Sequence, residues 1–224
     1  PGSPGSANDF TARAIAQRLT DAWGQQIVID NRSGAGGILA HELAAKATPD
    51  GYTLIFSTSA GLVINPLLRK VPYDSFRDLA PISLGSINPQ MLFSNPSLPA
   101  ASVEELIALA RARPGQLNCA SAGTGTPNHL GCELLKSMAK IDFVHVPYKG
   151  ATYGITDVVA GQAQFMFNSI PAVLPLARAG KIRALGVGST KRSGAAPEVP
   201  TIADLRERVG RAEAAVLLRG FPAP

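Results

Sequence analysis

The chain contains few of the residues that mark several common classes of protein. Only 2 of its 224 residues are cysteine, and 6% are aromatic. Two cysteines are too few for a disulfide scaffold, and Cys119 and Cys132 lack the spacing of metal ligands, so we expect two buried thiols. No apolar stretch approaches the ~20 residues that span a bilayer. No signal peptide precedes Pro1, so we expect a chain that has been processed or cut.

Charge of one sign does not dominate the sequence either. The chain carries 21 basic and 16 acidic residues, a net charge of +5, and the Lys and Arg residues are scattered. Because there is no basic stripe with interleaved aromatic residues, we do not expect a nucleic-acid partner. A mildly positive surface suits an anionic small molecule. With 46% hydrophobic residues, the chain can bury one sizeable core or two modest ones.

Short apolar strands alternate with amphipathic helices along the chain. The pattern predicts one helix over Phe10–Ala22 and another after Ser102, where apolar residues recur at helical spacing. The predicted strands are Gln26–Asp30, Tyr52–Phe56, Met91–Phe93, Leu117–Ala120, Phe143–Val146, Gln164–Phe167 and Arg183–Val187. Such alternation indicates an α/β protein with mostly parallel sheets, in which ligands bind beyond the carboxyl ends of the strands.

A glycine-rich loop follows the strand that contains Cys119. Gly123 and Gly125 allow backbone angles that direct successive N–H groups into one concavity, and Thr126 or Asn128 can cap a helix that starts near Pro127. The positive end of that helix would face the same space and favour an anion. The hydroxyl groups expected there belong to Ser121, Thr124 and Thr126. Glycine and serine loops also open helices that bind nothing, so both interpretations stay open.

The distribution of proline suggests two lobes. The stiff, polar segment Asn95–Pro99 lies between two α/β units and is the expected crossover, with a second connection near Val187–Thr190. We therefore predict a first lobe over residues 1–96, a second lobe over residues 97–205 and a divergent tail over residues 206–224.

Enzymatic interpretations have weaker support. Cys119 with His129, or Ser57 or Ser121 with a histidine, could imitate a small α/β cysteine or serine hydrolase, but no Gly-x-Ser-x-Gly elbow exists. No glycine-rich loop ends in the Gly-Lys-Ser/Thr of a P-loop. His145 lies in an apolar strand, which favours a hydrogen-bonded core residue. A hydrolase remains the alternative to a binding protein.

A series of short fragments occurs in the order seen in one protein family. They are Asn31–Gly37, Thr48–Leu54, Asn65-Pro66, Pro72–Asp74, Asn95–Pro99, Ser121–Gly125, His129-Leu130, His145–Gly150 and Pro197–Thr201. From about Pro4 to Leu205 the chain resembles Bug-type (TctC-like) solute-binding proteins, the extracytoplasmic receptors of tripartite tricarboxylate transporters. The resemblance implies a periplasmic, monomeric α/β protein with a two-lobed, type II-like binding fold. It implies a receptor that closes on a small carboxylate or dicarboxylate and passes it to the membrane components of a transporter, without catalysis or cofactor.

The resemblance also implies that the chain is truncated at both ends. Family members open with a strand that leads into a Pro-Phe-Pro-Gly-Gly-like loop, which Ser3–Asp9 matches with no strand before it. After Leu205 the family returns to the first lobe, whereas this chain diverges. An incomplete first lobe would leave apolar faces uncovered, so a non-functional fragment is a further alternative.

Residue by residue, the resemblance implies a ligand site between the lobes. It places Asp9 in the loop beside that site. For Asp9 itself we favour the interpretation that its side chain caps a helix that begins at Phe10. Tyr148 would select the far end of the ligand or be a core ring with a satisfied hydroxyl, and Lys149 would be a surface lysine. The expected ligand-binding residues are Ser6, Ala7, Asn8, Ser57, Thr58, Ser59, Ser121, Gly123, Thr124, Thr126, Tyr148 and Asn168.

Overall fold

The computed structural model describes residues 2–203. Its helices are α1 (Ala7–Trp23), α2 (Ile38–Ala45), α3 (Asn65–Leu68), α4 (Val103–Ala112), α5 (Pro127–Ala139), α6 (Ala151–Val159) and α7 (Ile170–Arg178). Its strands are β1 (Gln90–Ser94), β2 (Asn118–Ser121), β3 (Val144–Pro147), β4 (Phe165–Ser169) and β5 (Arg183–Val187). Short 3₁₀ and π turns cover Ala35–Gly37 and Ala60–Ile64.

The five strands form one mixed sheet in the order β3-β2-β4-β1-β5. Strand β2 is parallel to β3 and β4, whereas β1 is antiparallel to β4 and β5. The prediction of mostly parallel sheets is therefore wrong, because β1 enters the sheet against its two neighbours. As a result, the start of β1 meets the carboxyl ends of the other four strands at one edge of the sheet.

Alternating side chains build a hydrophobic layer on each face of the sheet. In β4, Phe165 and Phe167 pack with helices α4 and α5, and Met166 packs on the other face with α6 and α7. Helix α4 begins where the sequence predicts, since Ser102 accepts a hydrogen bond from the Glu105 amide. The core of the described residues lies here, around the predicted strands from Met91 onward.

A disulfide joins Cys119 of β2 to Cys132 of α5. Both residues are completely buried, as expected, but the expectation of two thiols is wrong. Their Cα atoms lie 6.4 Å apart, within the span of a disulfide. A separation of 13 residues does not by itself reveal that α5 folds back over β2.

Residues 2–89 contain helices and turns but no strand. The predicted strands Gln26–Asp30 and Tyr52–Phe56 do not form, and residues 2–89 provide no strand with which either could pair. Val28 is 81% exposed and Tyr52 is 93% exposed. The expectation that apolar side chains of this half are uncovered is therefore confirmed.

Strand β1 shows which part of the chain carries the sheet. It pairs with β4 and β5, so Gln90–Ser94 lies in the sheet and Asn95–Pro99 is the loop that leads on to α4. The predicted crossover at Asn95–Pro99 therefore follows the first strand of the sheet, β1, rather than preceding it. The division into lobes otherwise stays a prediction, and the divergent tail over residues 206–224 lies outside the described residues.

Candidate functional site

An open cavity of about 1680 Å³ lies at the sheet edge where β2 and β4 end. Residues of both halves of the chain line it. Among the predicted site residues, those on the lining are Ser6, Ala7, Asn8, Ser57, Thr58, Ser59, Thr126 and Asn168. The lining does not include Ser121, Gly123, Thr124 or Tyr148. Within residues 2–203, no group of His, Cys, Asp and Glu side chains is arranged to hold a metal ion.

The start of helix α1 forms one wall of this cavity. Ser6 is its N-cap and accepts a hydrogen bond from the Asp9 amide. The helix therefore begins at Ala7, and the prediction that Asp9 caps a helix starting at Phe10 is wrong. The amides of Ala7 and Asn8 precede the first intrahelical hydrogen bond, so they have no helical partner and remain available to a ligand.

The carboxylate of Asp9 holds the chain at this wall in place. Asp9 accepts hydrogen bonds from the Gly5 amide at 2.9 Å and from Asn31 at 3.0 Å, and it pairs with Arg13 at 3.0 Å. Burial alone would raise the pKa of Asp9, but these donors outweigh it and lower the pKa. The Asp9 carboxylate thus has its partners within the protein and serves to hold the structure.

Helix α5 begins at the opposite wall. Thr126 is its N-cap and accepts a hydrogen bond from the His129 amide, and Pro127 occupies the first turn, as the sequence predicts. The Thr126 hydroxyl also donates to Gly123 O at 2.6 Å. Because the first residues of α1, α5 and α6 all line the cavity, three positive helix ends face the same space.

Hydrogen bonds inside the loop Ser121–Thr126 use several of its polar groups. The Gly123 amide donates to the Ser121 hydroxyl at 3.1 Å, and the Gly125 amide donates to His129 Nδ1 at 3.2 Å. Ser121 is completely buried and Thr124 is exposed away from the cavity lining. These bonds fix the shape of the loop, so Ser121 and Gly123 support the cavity wall from behind.

The loop Gly34–Gly37 packs directly against the loop Ser121–Thr126. A Cβ on Gly36 would lie 2.5 Å from Thr124 O, and one on Gly123 would lie 3.4 Å from Gly36 N. Asn65 donates to Gly36 O at 2.9 Å and is completely buried. The sequence does not reveal the contact between Asn65 and Gly36, because the two residues lie far apart in the chain.

A second contact joins the two halves beside α1. Ser3 and Thr152 share a hydrogen bond of 3.1 Å between their hydroxyl groups, and Thr152 also lies 3.1 Å from Pro4 O. The start of α6 is therefore tied to the loop that precedes α1.

Tyr148 and Asn168 differ in their surroundings. The Tyr148 hydroxyl donates to Asp157 at 2.6 Å, and burial together with this partner raises the pKa of Tyr148 to about 12. Tyr148 is thus a packed ring with a satisfied hydroxyl. Asn168 is 4% exposed; its Oδ1 accepts from the Ser169 amide, while its Nδ2 has no hydrogen-bond partner among the described residues. A buried donor without a partner costs free energy, which a ligand acceptor would recover.

Two serine–histidine pairs form, which bears on the hydrolase alternative. Ser57 lies 2.5 Å from His41 Nε2, and Ser121 lies 2.6 Å from His145 Nε2. His145 is thereby hydrogen-bonded, as expected. His41 is completely buried beneath Tyr73, so Ser57 lines the cavity and His41 does not. Cys119 is in the disulfide and supplies no thiol nucleophile.

None of the helices within residues 2–203 has both the length and the apolar character needed to cross a bilayer.

The chain is similar to known receptors over almost all its length. The family profile "Tripartite tricarboxylate transporter family receptor" matches residues 11–218. BugT of Bordetella pertussis is 38% identical over 207 residues, which cover 92% of this chain and 64% of BugT. The chain spans 61% of a relative from Pseudomonas sp. strain P51.

Solved structures show the same fold. Rpa4515 of R. palustris, determined with adipate, is 37% identical with a TM-score of 0.86, and the match covers 91% of this chain and 69% of that one. MatC from Rhodopseudomonas palustris, with bound malate, is 28% identical with a TM-score of 0.82, over 98% of this chain and 80% of MatC. The chain belongs to the tripartite tricarboxylate transporter receptor family, and its fold is that of the Bug- and TctC-type periplasmic binding proteins.

Proposed function

We propose that this protein is a periplasmic solute receptor that binds a small dicarboxylate in the cavity between residues 2–89 and residues 90–203. The observation that carries the proposal is the convergence of the first turns of α1, α5 and α6 on one cavity. Helix N-termini offer unpaired amides and positive field, both of which favour a carboxylate.

Neutral groups would hold the first carboxylate. Ala7 and Asn8 in the first turn of α1 and Asn128 in the first turn of α5 line the cavity together with the hydroxyl-bearing residues Ser57–Ser59. Charge-assisted hydrogen bonds from such dipoles are about twice as strong as neutral ones and need no buried cation. We expect these groups to bind and release the ligand without turnover.

Asn168 would receive the far end of the ligand. Its unpaired Nδ2 can only donate, so it selects a ligand with an acceptor at its second end, such as a second carboxylate. Adipate and malate, the ligands in Rpa4515 and MatC, both have this form. A dicarboxylate would therefore supply one acceptor group for the helix amides and another for Asn168.

Calorimetry with a matched ligand pair tests this proposal. Adipate should bind and its uncharged diamide should not, because the diamide has the same length without the charge that the helix ends favour. Asn168→Ala should weaken adipate about tenfold or more, the value of a hydrogen bond to a charged group. Lys149→Ala, an exposed residue on the lining, is the matched control and should change the affinity little. Equal binding of the diamide would overturn the proposal.

In this role the protein would act as a monomer. It would deliver its ligand to the membrane components of a tripartite tricarboxylate transporter. A buried disulfide suits the oxidising periplasm. Co-purification of the protein with membranes that contain those components, stronger with adipate than without, is the expected result. No enrichment by adipate would count against delivery.

The Ser57–His41 pair keeps a hydrolase as the second candidate. An ester substrate should be left intact by the receptor that we propose. Turnover of a p-nitrophenyl ester that disappears in Ser57→Ala would favour the hydrolase instead.

A further inference from the structure

Two histidine rings lie against each other behind the loop Ser121–Thr126. His129 belongs to α5 and His145 to β3, and their ring centroids are 4.1 Å apart. Each ring is joined by a hydrogen bond to that loop, which connects β2 to α5. A change in the protonation of either ring would therefore alter a hydrogen bond to the loop.

The hydrogen bond to His129 fixes where its proton resides. The Gly125 amide donates to Nδ1, so Nδ1 carries no proton and the ring is neutral with its proton on Nε2. A second proton would have to occupy Nδ1 and would set two donors against each other. Protonation of His129 thus breaks the bond that holds the Gly125 amide.

The hydrogen bond of His145 also depends on the charge state of its ring. Its Nε2 faces the buried Ser121 hydroxyl at 2.6 Å, and that hydroxyl accepts the Gly123 amide. An unprotonated Nε2 can accept the serine proton, whereas a charged imidazole can only donate to the serine oxygen, so protonation fixes the direction of this hydrogen bond and turns the serine proton elsewhere. Two charged rings at this separation would also repel each other.

We propose that the neutral pair His129 and His145 positions the loop Ser121–Thr126 for ligand binding, and that protonation of the pair releases the loop and lowers ligand affinity. The inference rests on the function proposed above. It adds a regulation of that site: capture at neutral pH and release as the surroundings become acidic.

The groups around the pair set the pH range of this response. Burial lowers the pKa of His129, Glu133 at 3.8 Å opposes that shift, and Arg69 adds to it. Burial and the neighbouring His129 lower the pKa of His145 to about 4. Both rings are therefore neutral at pH 7, and their protonation takes place below pH 6.5.

The test compares the wild-type chain with His129→Asn. The Asn side chain can accept the Gly125 amide through its Oδ1 but does not titrate, so it keeps the positioning role and removes the switch. The quantity compared is the ratio of each protein's adipate affinity at pH 7.5 to its affinity at pH 4.5, so the two proteins need not bind alike at pH 7.5. Between pH 7.5 and 4.5 the wild type should lose about fivefold more affinity than His129→Asn, the scale of one lost hydrogen bond. Protonation of adipate itself is common to both proteins and cancels in the comparison.

Glu133→Gln tests whether the charge state of His129, and not only its shape, controls the affinity for adipate. Loss of the carboxylate removes the group that raises the pKa of His129, so the midpoint of the affinity change should shift to lower pH. His129→Leu keeps the bulk without an acceptor and should weaken adipate at every pH. Parallel pH profiles of wild type and His129→Asn, or an unmoved midpoint in Glu133→Gln, would overturn the inference.

Nuclear magnetic resonance separates this inference from the proposed function. In the wild type the Gly125 amide signal should move with the titration of His129, and in His129→Asn it should stay still. If adipate does not bind at pH 7.5, the proposed function fails, and the Gly125 titration still decides the positioning role. A Gly125 signal that ignores pH would refute that role.

Discussion

Substitution of Gly36 tests the contact between the loops Gly34–Gly37 and Ser121–Thr126. Gly36 has φ 65° and ψ 22°, and Gly24 at the end of α1 has φ 65° and ψ 16°. Alanine would be strained at both positions by the same backbone conformation. A new Cβ meets nothing within 4 Å at Gly24, but it lies 2.5 Å from Thr124 O at Gly36. Gly24→Ala is therefore a matched control for Gly36→Ala.

The magnitudes follow from those distances. Left-handed backbone costs alanine ~1–2 kcal/mol, so both variants should lose about that much free energy of unfolding. Ordinary contact of a Cβ needs at least 3.4 Å, so in Gly36→Ala the two loops must part by roughly 0.9 Å, the difference from 2.5 Å. Parting them also strains the hydrogen bond from Asn65 to Gly36 O, worth ~1 kcal/mol. We expect adipate affinity to fall about tenfold in Gly36→Ala alone.

Urea unfolding and calorimetry with adipate measure the two effects. The expected result is a loss of stability in both variants, larger in Gly36→Ala by up to ~1 kcal/mol, and a loss of affinity confined to Gly36→Ala. If the two variants bind adipate equally well, the loop contact is not part of the arrangement that binds ligand.

Three other perturbations have defined outcomes. The unfolded chain takes up a proton on His145 below pH 6.5, whereas the folded chain does so only near pH 4. The free energy of unfolding should therefore decrease as the pH is lowered from 6.5 to 4, and urea midpoints should show this decrease. In His145→Gln the decrease should be smaller. Reduction of the disulfide should lower the free energy of unfolding by ~3 kcal/mol, and an unchanged urea midpoint would contradict its structural role. Replacement of exposed Val28 and Ile82 by Thr should reduce aggregation measured by light scattering without loss of helical circular dichroism, and unchanged aggregation would exclude these side chains as its cause.

Local signals in the sequence predict most of the half that carries the sheet. Apolar spacing after Ser102 predicts α4, and Thr126 with Pro127 predicts the start of α5, because both depend on neighbours within one helical turn. The strands from Met91 onward are apolar enough to be recognised without knowledge of their partners. Elements whose formation depends on local chemistry are thus predictable.

Features that depend on distant partners are not predictable in this way. Gln26–Asp30 has the composition of a strand but stays unpaired, since a strand needs a neighbour. The direction of β1 and the bond between Cys119 and Cys132 are set by how elements pack. The positions of the Ser121 hydroxyl and the Gly125 amide depend on the histidines behind the loop. Side-chain type therefore indicated a polar loop but not which of its groups face the cavity.

A crystal structure of the protein with adipate would show which groups hold the two carboxylates. We expect one carboxylate within ~3 Å of the amides of Ala7, Asn8 and Asn128, with the second accepting from Asn168 Nδ2. Adipate bound elsewhere, with its carboxylates on Lys149 or another surface cation and the helix ends unengaged, would contradict it.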